Sequence, residues 1–542
     1  MDAVEVVPNP VNEPAHSYAP GSPQRASLTA KLKEMAATEH DLTATIGGQQ
    51  RRGRGAPIEV RAPHAHAQLL GVMHNSTQAD ARDALAAARQ AAPAWRELSF
   101  SDRAAVLLKA AEMAAGPWRD ALNAATMLGQ SKTVVQAEID AACELIDFWR
   151  FNVAFGRQIL ADQPMANSPG VWNRLDHRPL EGFVYAVTPF NFTSIAANLP
   201  TAPALMGNVV LWKPAPTQQL AAHVTMRLLE AAGLPPGVIN MLPGDGIEVS
   251  EVALSAPDLA GIHFTGSTAT FQRLWRTVGD NIAGYRSYPR LVGETGGKDF
   301  IVAHPSADPD VARTALVRGA FELQGQKCSA ASRAYLPRSL WSRMREDFLA
   351  VTESLPMGDV GDLSNFVGAV IDARAFAKHA AAIERARQTS TVKVLAGGSY
   401  DDSVGYFVRP TVLECSDPTD EVFTTEYFGP ILAVHVYADA DYDAMLTQME
   451  SVAPYALTGS VIAQDRHAIA AATERLRFAA GNFYVNDKPT GAVVGQQPFG
   501  GGRASGTNDK AGSAQNLLRW TSTRAIKETF VPPTEHLYPH MA

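Results

Sequence analysis

Residues 182–187 read GFVYAV, and similar short apolar runs follow: NVVLW at 208–212, VINML at 238–242 and GIHF at 261–264. Each run has the length and composition of a strand that is buried on both faces. Stretches of helical composition separate the runs, at 193–205, 217–232, 245–255 and 268–279. Strands that alternate with helices in this way predict βαβ units and a parallel sheet. Ligands of such sheets bind at the carboxyl ends of the strands.

A second series of strand-like runs starts at Asp299, where the sequence reads DFIVAH. The later members of this series, again with helical stretches between them, are 334–336, 392–395, 431–434 and 460–463. We therefore predict a second α/β domain over about 300–490. The break between the two domains falls near 294–298, so side chains from both are expected to meet in a cleft there.

The chain before residue 160 is expected to be mainly helical. Residues 76–92 have helical composition with an N-cap candidate in Ser76 or Thr77. A second helix is expected after Ser101 and a third near 133–155. The prolines of residues 1–27 predict an extended arm.

Composition limits the classes of protein that the chain can represent. With 542 residues the chain is too long for a single hydrophobic core, so two or more domains are expected. Its contents of 46% hydrophobic and 19% charged residues are ordinary for a folded protein. A formal net charge of -8 gives no electrostatic footprint for nucleic acid. No apolar run reaches the roughly 18 residues of a membrane span. The N-terminus lacks a signal-peptide pattern, so we expect a cytosolic protein.

The chain has three cysteines, Cys143, Cys328 and Cys415, which are far apart and form no CxxC pair. This spacing argues against a disulfide framework or a zinc site and favours a reducing compartment. We expect no bound metal. Cys143 and Cys415 are interpreted as small buried apolar residues.

Neither GxGxxG after a strand nor a Walker A sequence is present, which disfavours kinases, P-loop ATPases and ordinary Rossmann dehydrogenases. One strand-to-helix turn, FTGSTAT at 264–270, nevertheless suits a phosphate group, because free N–H groups at a helix start attract anions. A plain Ser/Thr helix cap explains the same residues. Both interpretations stay open on this motif alone.

Three further motifs carry reactive side chains. Cys328 in GQKCS at 325–329 could supply a thiolate nucleophile, although a buried structural cysteine is the ordinary alternative. Glu294 in ETGGK at 294–298 could act as a general base or be a surface acid in a loop. Asn191 in PFNFT at 189–193 could donate to an oxyanion or cap the following helix.

Together these motifs resemble the aldehyde dehydrogenase superfamily over roughly residues 60–530. They occur in the family's order, with WKP at 212–214, EYFGP at 426–430 and PFGG at 498–501. The resemblance implies an α/β fold with a Rossmann-type cofactor domain, an α/β catalytic domain and a small β oligomerisation arm. Further stretches, GQQPFGG at 495–501, RASGTNDK at 503–510 and LRWTS at 518–522, most closely resemble the 1-pyrroline-5-carboxylate dehydrogenases.

That subfamily oxidises L-glutamate γ-semialdehyde to L-glutamate with NAD in proline catabolism, and the resemblance implies the same here. It assigns Cys328 as nucleophile, Glu294 as the base that activates water, and Asn191 as the oxyanion donor. The cofactor-binding residues it implies are Thr188, Lys213, Gly266, Ser267, Thr268, Ala269, Thr270, Glu426 and Phe428. The substrate-binding residues it implies are Phe192, Lys327, Ser329, Gly491, Ala492 and Phe499.

The resemblance also divides the chain into regions. They are an extended N-terminal arm over 1–50, an NAD-binding domain over 51–298 with an oligomerisation hairpin near 160–180, a catalytic domain over 299–490, and a return to the cofactor domain with a C-terminal oligomerisation strand over 491–542. A homodimer or a dimer-based hexamer is expected. Proline dehydrogenase is the expected pathway partner, since it makes the precursor of the substrate.

One departure bears on the cofactor. Many NAD-preferring relatives carry an acid three residues after the ribose lysine, where this chain has Pro216. NAD remains the expected cofactor, with NADP as the weaker one. The alternatives are an aldehyde dehydrogenase for another substrate such as succinate semialdehyde, a catalytically silent relative, and a cysteine hydrolase that needs no cofactor.

Overall fold

The computed structural model describes residues 5–541, so residues 1–4 of the predicted arm and Ala542 lie outside the described residues. The α-helices in this range are α1 Pro23–Ala36, α2 Gln78–Glu97, α3 Phe100–Ala115, α4 Arg119–Gln130, α5 Val134–Ala137, α6 Leu145–Ala161, α7 Thr193–Leu205, α8 Gln219–Ala232, α9 Ile247–Ser255, α10 Thr268–Asp280, α11 Pro309–Phe321, α12 Arg338–Ser354, α13 Ala373–Gln388, α14 Glu421–Thr424, α15 Tyr442–Val452, α16 Arg466–Arg475 and α17 Ala514–Leu518. A π-helical segment, Glu138–Glu144, joins α5 to α6.

The strands are β1 His40–Leu42, β2 Ala44–Ile46, β3 Gln49–Arg51, β4 Pro57–Ala62, β5 Ala65–His74, β6 Val171–Pro179, β7 Phe183–Val187, β8 Val209–Lys213, β9 Ile239–Met241, β10 Leu259–Thr265, β11 Arg290–Glu294, β12 Asp299–Ala303, β13 Ala331–Pro337, β14 Val392–Ala396, β15 Tyr400–Asp401, β16 Phe407–Val408, β17 Thr411–Cys415, β18 Ile431–Tyr437, β19 Tyr455–Ala456, β20 Thr458–Ile462, β21 Asn482–Val485, β22 Gly502–Arg503 and β23 Thr521–Thr529.

Within residues 5–541, one seven-stranded sheet has the order β11-β10-β7-β8-β9-β2-β3. From β11 to β9 neighbouring strands are parallel, and β2 and β3 add an antiparallel edge. The chain fills one side with β8 and β9, then returns to place β10 and β11 on the other side of β7. This reversal opens a crevice at the carboxyl ends of β7 and β10, which is where doubly wound sheets bind ligands. The strands and the parallel pairing expected between 182 and 264 are thus confirmed.

The second large sheet of the described region has the order β14-β17-β18-β13-β12-β20-β21. Apart from the antiparallel edge strand β14, its neighbours are parallel. The amino ends of β12, β13 and β18 therefore lie at one edge of this sheet. Because residues 295–298 connect the end of β11 directly to the start of β12, this amino edge meets the carboxyl edge of the first sheet.

The expected helices near the start of the chain are present, with differences at their ends. Thr77 caps α2 and forms a reciprocal capping box with Asp80. The second helix, α3, begins at Phe100 after its cap Ser99, slightly before the predicted start. The third predicted helix is interrupted, because the π-helical segment lies between α5 and α6.

The extended arm predicted for residues 1–50 is wrong after residue 22. Residues 5–22 contain neither helix nor strand, but α1 follows, and β1, β2 and β3 come before residue 52. Ser22 caps α1 by accepting from the Arg25 N–H at 3.3 Å, and Pro23 suits the first helical position. One of the prolines that suggested an extended chain, Pro23, is instead the first residue of a helix.

The strands β4 and β5 contradict the expectation that the first segment is helical. They pair antiparallel over Pro57–Ala62 and Ala65–His74, and β1 adds a third strand beside β5. The burial of β5 does not alternate regularly, so this strand lacks the period of two on which strand prediction depends. The side chains of β4 do alternate between more exposed and more buried, and this strand signal was overlooked in the sequence.

The predicted hairpin near 160–180 is also corrected. Helix α6 continues to Ala161, and the strand that follows, β6, pairs antiparallel with β23 at the C-terminal end of the chain. The resulting two-stranded ribbon has mostly half-buried or exposed side chains, including Trp172 at 49% exposed.

The C-terminal region contacts both halves of the molecule. Strand β22 pairs with β19 of the second half. Trp520 is fully buried in the core around the first sheet, where its carbonyl accepts from Asn208 Nδ2 at 2.9 Å and its indole lies 4.6 Å from the His263 ring. In the described part of the chain, no helix combines the length and apolar character that crossing a membrane requires.

We expect Gly182→Ala to destabilise the fold and Gly279→Ala to leave it intact or stabilise it. Gly182 has φ +145°, and an added Cβ would lie 1.9 Å from the Asp258 carbonyl oxygen. Such strain costs about 1–3 kcal/mol. Gly279 lies in α10 with open space around its Cβ position, where Ala gains about 0.5–1 kcal/mol. Thermal melting of the two variants tests this, and equal melting temperatures would contradict it.

Candidate active site

A cavity of about 940 Å³ occupies the crevice between the two sheets. Its wall comes from the loops after β7, β8 and β10 of the first sheet and from residues before β13 and β18 of the second. The predicted cofactor residues on this wall are Thr188, Lys213, Gly266, Ser267, Thr270, Glu426 and Phe428.

Thr268 and Ala269 were also expected to bind the cofactor, but they are not on the cavity wall. The Thr268 hydroxyl donates to the Ala504 carbonyl at 3.2 Å, and Ala269 is exposed to solvent. Both lie in the first turn of α10, where successive side chains point about 100° apart. A motif of consecutive residues therefore cannot all face one ligand.

The start of α10 combines the two interpretations that the sequence left open. Ser267 is the N-cap and accepts from the Thr270 N–H at 3.2 Å. Ser267 and Gly266 also line the cavity, next to the positive end of the helix dipole. A Cβ on Gly266 would lie 2.8 Å from Phe264 Cζ, so glycine permits the close turn.

Lys213 stands at the far end of the cavity, as the last residue of β8. Burial lowers the pKa of its ammonium to about 8, while the charge of Asp245 acts in the opposite direction. A Cβ on Gly246 would lie 2.3 Å from Lys213 Cε, so this glycine makes room for the lysine stem. Pro216 lines the same end of the cavity.

Glu426 lies where the two sheets meet. Its Oε1 accepts from the Gly297 N–H at 2.8 Å, and Lys378 Nζ donates to its backbone carbonyl at 2.7 Å. Burial raises the pKa of this carboxyl. Phe428 has φ +58°, uncommon for a bulky residue, and its ring lies 5.8 Å from Phe190.

Cys328 follows a tight turn on the way from α11 to β13. Leu323, Gln324 and Gly325 all have φ between +51° and +64°. Left-handed conformations are costly for residues other than glycine and are found at functional sites. The turn brings the half-buried Cys328 to the inner end of the large cavity, where a smaller cavity of about 100 Å³ begins.

Asn191 does not cap helix α7. Asp140 does so instead, accepting from the Thr193 N–H at 2.8 Å and the Ser194 N–H at 2.8 Å. The buried Asn191 amide is therefore available to the site, and its Nδ2 donates to the Gln326 carbonyl at 3.0 Å. This contact holds the amide beside the residues that precede Cys328.

Glu294 is the last residue of β11 and is not a surface loop acid. Burial raises the pKa of its carboxyl well above the usual value, Lys510 acts against this, and Asp509 adds to it. Among the described residues, nothing forms a hydrogen bond with its buried Oε2. Lys510 was missed in the sequence; its Nζ donates to the carbonyls of Gly481 at 2.8 Å and Gly500 at 2.9 Å.

The predicted substrate residues all line the smaller cavity, together with Cys328 and Glu294. They are Phe192, Lys327, Ser329, Gly491, Ala492 and Phe499. Lys327 Nζ forms an ion pair with Glu322 Oε2 at 3.0 Å. The hydroxyls of Ser329 and Thr490 are 2.8 Å apart.

The smaller cavity also contains ionic residues that the sequence did not reveal. Glu144 comes from the π-helical segment, and Glu322 and Lys488 come from the second half of the chain. Burial, followed by the charge of Asp140, raises the pKa of Glu144 to about 8. No residue pattern marks a π-helical turn, which explains why Glu144 was missed.

Residues 5–541 contain no cluster of three or more His, Cys, Asp or Glu side chains that could hold a metal ion. The two adjoining cavities bring together the thiol of Cys328, the amide of Asn191 and the carboxyl groups of Glu294 and Glu426.

Comparison with known proteins identifies the family of the chain. The family model described as the aldehyde dehydrogenase family matches residues 50–526. The chain belongs to the aldehyde dehydrogenase family, as its motifs predict.

Its relatives narrow the class further. The crystal structure of Delta-pyrroline-5-carboxylate dehydrogenase from Mycobacterium tuberculosis bound with NAD matches with a TM-score of 0.97, at 64% identity, covering 100% of both chains. The mitochondrial delta-1-pyrroline-5-carboxylate dehydrogenase of Dictyostelium discoideum is 47% identical, over 99% of this chain and 96% of that one. The mitochondrial enzyme of the same name from Bos taurus is 46% identical, over 98% and 94%.

The rate at which Cys328 reacts with an alkylating reagent should continue to increase up to an unusually high pH. Burial, then the charges of Asp299, Glu294 and Glu426, raise the pKa of its thiol well above its usual value. Because only the thiolate is reactive, we expect alkylation by iodoacetamide in the free protein to be still accelerating at pH 9. Mass spectrometry of the Cys328 peptide after timed labelling measures this rate. A plateau below pH 8 would contradict the prediction.

Proposed function

We propose that this protein oxidises L-glutamate γ-semialdehyde, the open form of 1-pyrroline-5-carboxylate, to L-glutamate with NAD in proline catabolism. The observation that carries the proposal is the position of Cys328 at the junction of two cavities. One cavity has the volume and the helix start that a dinucleotide requires, and the other is lined by ionic groups of both signs. The names of the relatives support the same reaction.

Cys328 is the proposed nucleophile. The Cys328 thiol first loses its proton to solvent in the cavity, because only the thiolate is nucleophilic. The thiolate then attacks the aldehyde carbon, and the carbonyl oxygen becomes the oxyanion of a thiohemiacetal. The second N–H of the Asn191 amide and the Cys328 backbone N–H are proposed to stabilise that oxyanion. Preorganised donors of this kind typically contribute about 100–1000-fold in rate.

The large cavity fits NAD by its own features. The buried Lys213 ammonium at one end can donate to ribose hydroxyls, and the α10 start in the middle suits the pyrophosphate. The Glu426 carboxylate, oriented by the Gly297 N–H, can accept from the second ribose. NAD, when bound, supplies the hydride acceptor.

Glu294 is the proposed base for the second half of the reaction. The thioester on Cys328 must be hydrolysed, and the proton of the attacking water must go to a nearby group. A carboxylate whose pKa is raised by burial accepts this proton better at neutral pH than an exposed one does. The unpartnered Oε2 of Glu294 leaves it a position to do so.

The ionic groups of the smaller cavity favour an amino acid as substrate. The substrate's ammonium group is proposed to bind Glu144, and its carboxylate the backbone N–H groups of Gly491 and Ala492. Phe192 and Phe499 line the space for its aliphatic part. A nearby cation lowers a carboxyl pKa, so ammonium binding is expected to ionise Glu144.

The alternatives account for fewer of these features. Succinate semialdehyde has no ammonium group to pair with Glu144 or Glu322. A hydrolase that needs no cofactor does not explain the presence of the 940 Å³ cavity. A silent relative has no need for Cys328, Asn191 and Glu294 around one junction.

NAD is proposed in preference to NADP. Asp245, whose charge acts on Lys213, and Glu251 both line the large cavity. Their carboxylates are proposed to oppose the negative 2′-phosphate of NADP. These two carboxylates supply the negative charge that many NAD-preferring relatives obtain from an acid at the position of Pro216. Kinetics with both cofactors test this preference.

The assembly, location and pathway partner stay predictions. The exposed ribbon of β6 and β23 supports a homodimer or a dimer-based hexamer, which light scattering tests against the 58.0 kDa single chain. Contact with proline dehydrogenase remains a proposal that rests on the shared pathway. The expected cytosolic location also remains one, and the names of two relatives place them in mitochondria.

We expect Cys328→Ala to abolish NADH formation from the pyrroline-carboxylate/glutamate-semialdehyde mixture. Asn191→Ala should lower kcat by about 100–1000-fold, because one oxyanion donor is lost. Cys415→Ala is the matched control, since this cysteine is buried in β17 and lines neither cavity. Substantial turnover by Cys328→Ala would disprove the proposed nucleophile. Turnover confined to propanal or succinate semialdehyde in the wild type would replace the substrate.

We expect Glu144→Gln to impair glutamate-semialdehyde oxidation selectively. Loss of a charged hydrogen-bond partner should raise KM for this substrate about 10–100-fold. Propanal lacks an ammonium group, so kcat/KM for propanal should stay within about twofold. The control is Glu34→Gln, whose side chain is 65% exposed on α1. Equal losses with both aldehydes would contradict the proposed ammonium site.

A further inference from the structure

Residues 5–21, the N-terminal arm of the described structure, line neither cavity. They nevertheless make polar contacts, most of them partly or fully buried, with elements that do. We propose that this arm is a positioning element of the substrate cavity. It holds the π-helical segment Glu138–Glu144 and the loop of residues 490–496 in fixed relation, so that both face one substrate. The inference rests on the proposed function for the identity of that substrate.

Asn12 joins the loop to helix α6. Its Nδ2 donates to Asp147 Oδ2 at 2.8 Å and to the Val494 carbonyl at 2.8 Å, and its Oδ1 accepts from Gln496 Nε2 at 3.0 Å. Every polar group of this one side chain is therefore used between the helix and the loop. Val494 follows closely in sequence after Ala492, which lines the smaller cavity.

The loop approaches α6 closely at the same place. Gly495 has φ +83°, and an added Cβ would lie 2.1 Å from Phe151 Cε1. The loop backbone thus packs directly against the helix, and Asn12 bonds to the carbonyl just before this contact. A shift of the loop would break both the packing and the hydrogen bonds.

Glu13 strengthens the same connection. Its backbone N–H donates to Asp147 Oδ1 at 2.7 Å, so Asn12 and Glu13 together satisfy both oxygens of that carboxylate. The Glu13 carboxylate lies between Arg119, at 2.6 Å, and Arg150, at 2.7 Å. Asp147 is 3% exposed, and a buried carboxylate that loses its donors is strongly disfavoured.

A second connection lies at the other end of the π-helical segment. The His16 N–H donates to Glu138 Oε1 at 2.7 Å, and the Tyr18 hydroxyl donates to Glu138 Oε2 at 2.8 Å. Arg119 Nη2 donates to the same carboxylate at 2.5 Å. Tyr18 and Glu138 are nearly fully buried, so water cannot replace these contacts.

The two connections bracket the segment that carries the cavity's acid. Glu138 is its first residue, and Asp147 lies three residues after its last, Glu144. A π-helical turn is a rare and locally costly conformation that the surroundings must hold. Asp140 of the same segment caps α7, which begins directly after Asn191 and Phe192. The arm thereby stabilises a segment that supports two sides of the site.

The test compares Asn12→Ala with the wild type in steady-state kinetics. We expect KM for the pyrroline-carboxylate/glutamate-semialdehyde mixture to rise about tenfold, as the loss of a partly buried hydrogen bond to a carboxylate implies. The kcat/KM for propanal and the KM for NAD should not change, because the lost contact orients only the groups that bind the amino acid. Val11→Ala is the matched control, since its neighbouring side chain is 70% exposed.

A double-mutant cycle distinguishes positioning from general destabilisation. If Asn12 acts through the loop, Gln496→Ala should reproduce part of the KM increase, and the double variant should add little to Asn12→Ala. Equal losses with both aldehydes, additive effects, or an unchanged KM in Asn12→Ala would each overturn the proposal.

Hydrogen–deuterium exchange keeps the two proposals separate. Asn12→Ala, but not Val11→Ala, should increase exchange in residues 138–147 and 490–496 while the core strands stay protected. This readout does not depend on the substrate. Wild-type protein that fails to oxidise glutamate semialdehyde would overturn the proposed function alone, whereas unchanged exchange in both segments would overturn the role of the arm.

Discussion

The close approach of two backbone segments at Gly296 and Gly297 is the constraint on which the rest of the site depends. A Cβ on Gly297 would lie 2.2 Å from the Cys328 carbonyl oxygen, and one on Gly296 would lie 2.3 Å from Glu426 Oε2. These glycines connect the last strand of the first sheet to the first strand of the second. Because neither carries a side chain, Glu294, Cys328 and Glu426 can share one junction.

Burial at this junction determines the electrostatics of the site. Burial raises the pKa of the Cys328 thiol, and the charges of Asp299, Glu294 and Glu426 raise it further. Glu294 itself has a raised pKa for the same reason, with Lys510 held nearby by backbone carbonyls. Desolvation therefore favours proton uptake by Glu294. It also favours the protonated thiol of Cys328 in the free protein.

The sequence predicted those parts of the molecule that local patterns encode. Helix α7 spans the predicted residues 193–205, and the strands that begin near 182 and 299 belong to the two sheets as expected. The order of the motifs identified the family, and the resemblance assigned Cys328, Asn191 and Glu294 to one site. These features depend on composition within a few residues, or on motifs that need no knowledge of packing.

Features that depend on long-range packing were not predictable. The partner of β6 is β23, which is more than 340 residues away along the chain. The direction of Lys327 towards Glu322, and of Thr268 away from the cavity, is decided by neighbours from other elements. Glu144 enters the site through a π-helical turn, and the contacts of the N-terminal arm depend on buried carboxylates far along the sequence.

In the proposed mechanism, Cys328 carries the acyl group of glutamate until Glu294 activates water. Intact-mass analysis of Glu294→Gln, followed by peptide mapping after incubation with NAD and the pyrroline-carboxylate/glutamate-semialdehyde mixture, tests it most directly. We expect a glutamyl thioester to accumulate on the Cys328 peptide and to form only when NAD is present. An unmodified Cys328 in protein that still produces NADH, or a glutamyl group on another residue, would contradict it.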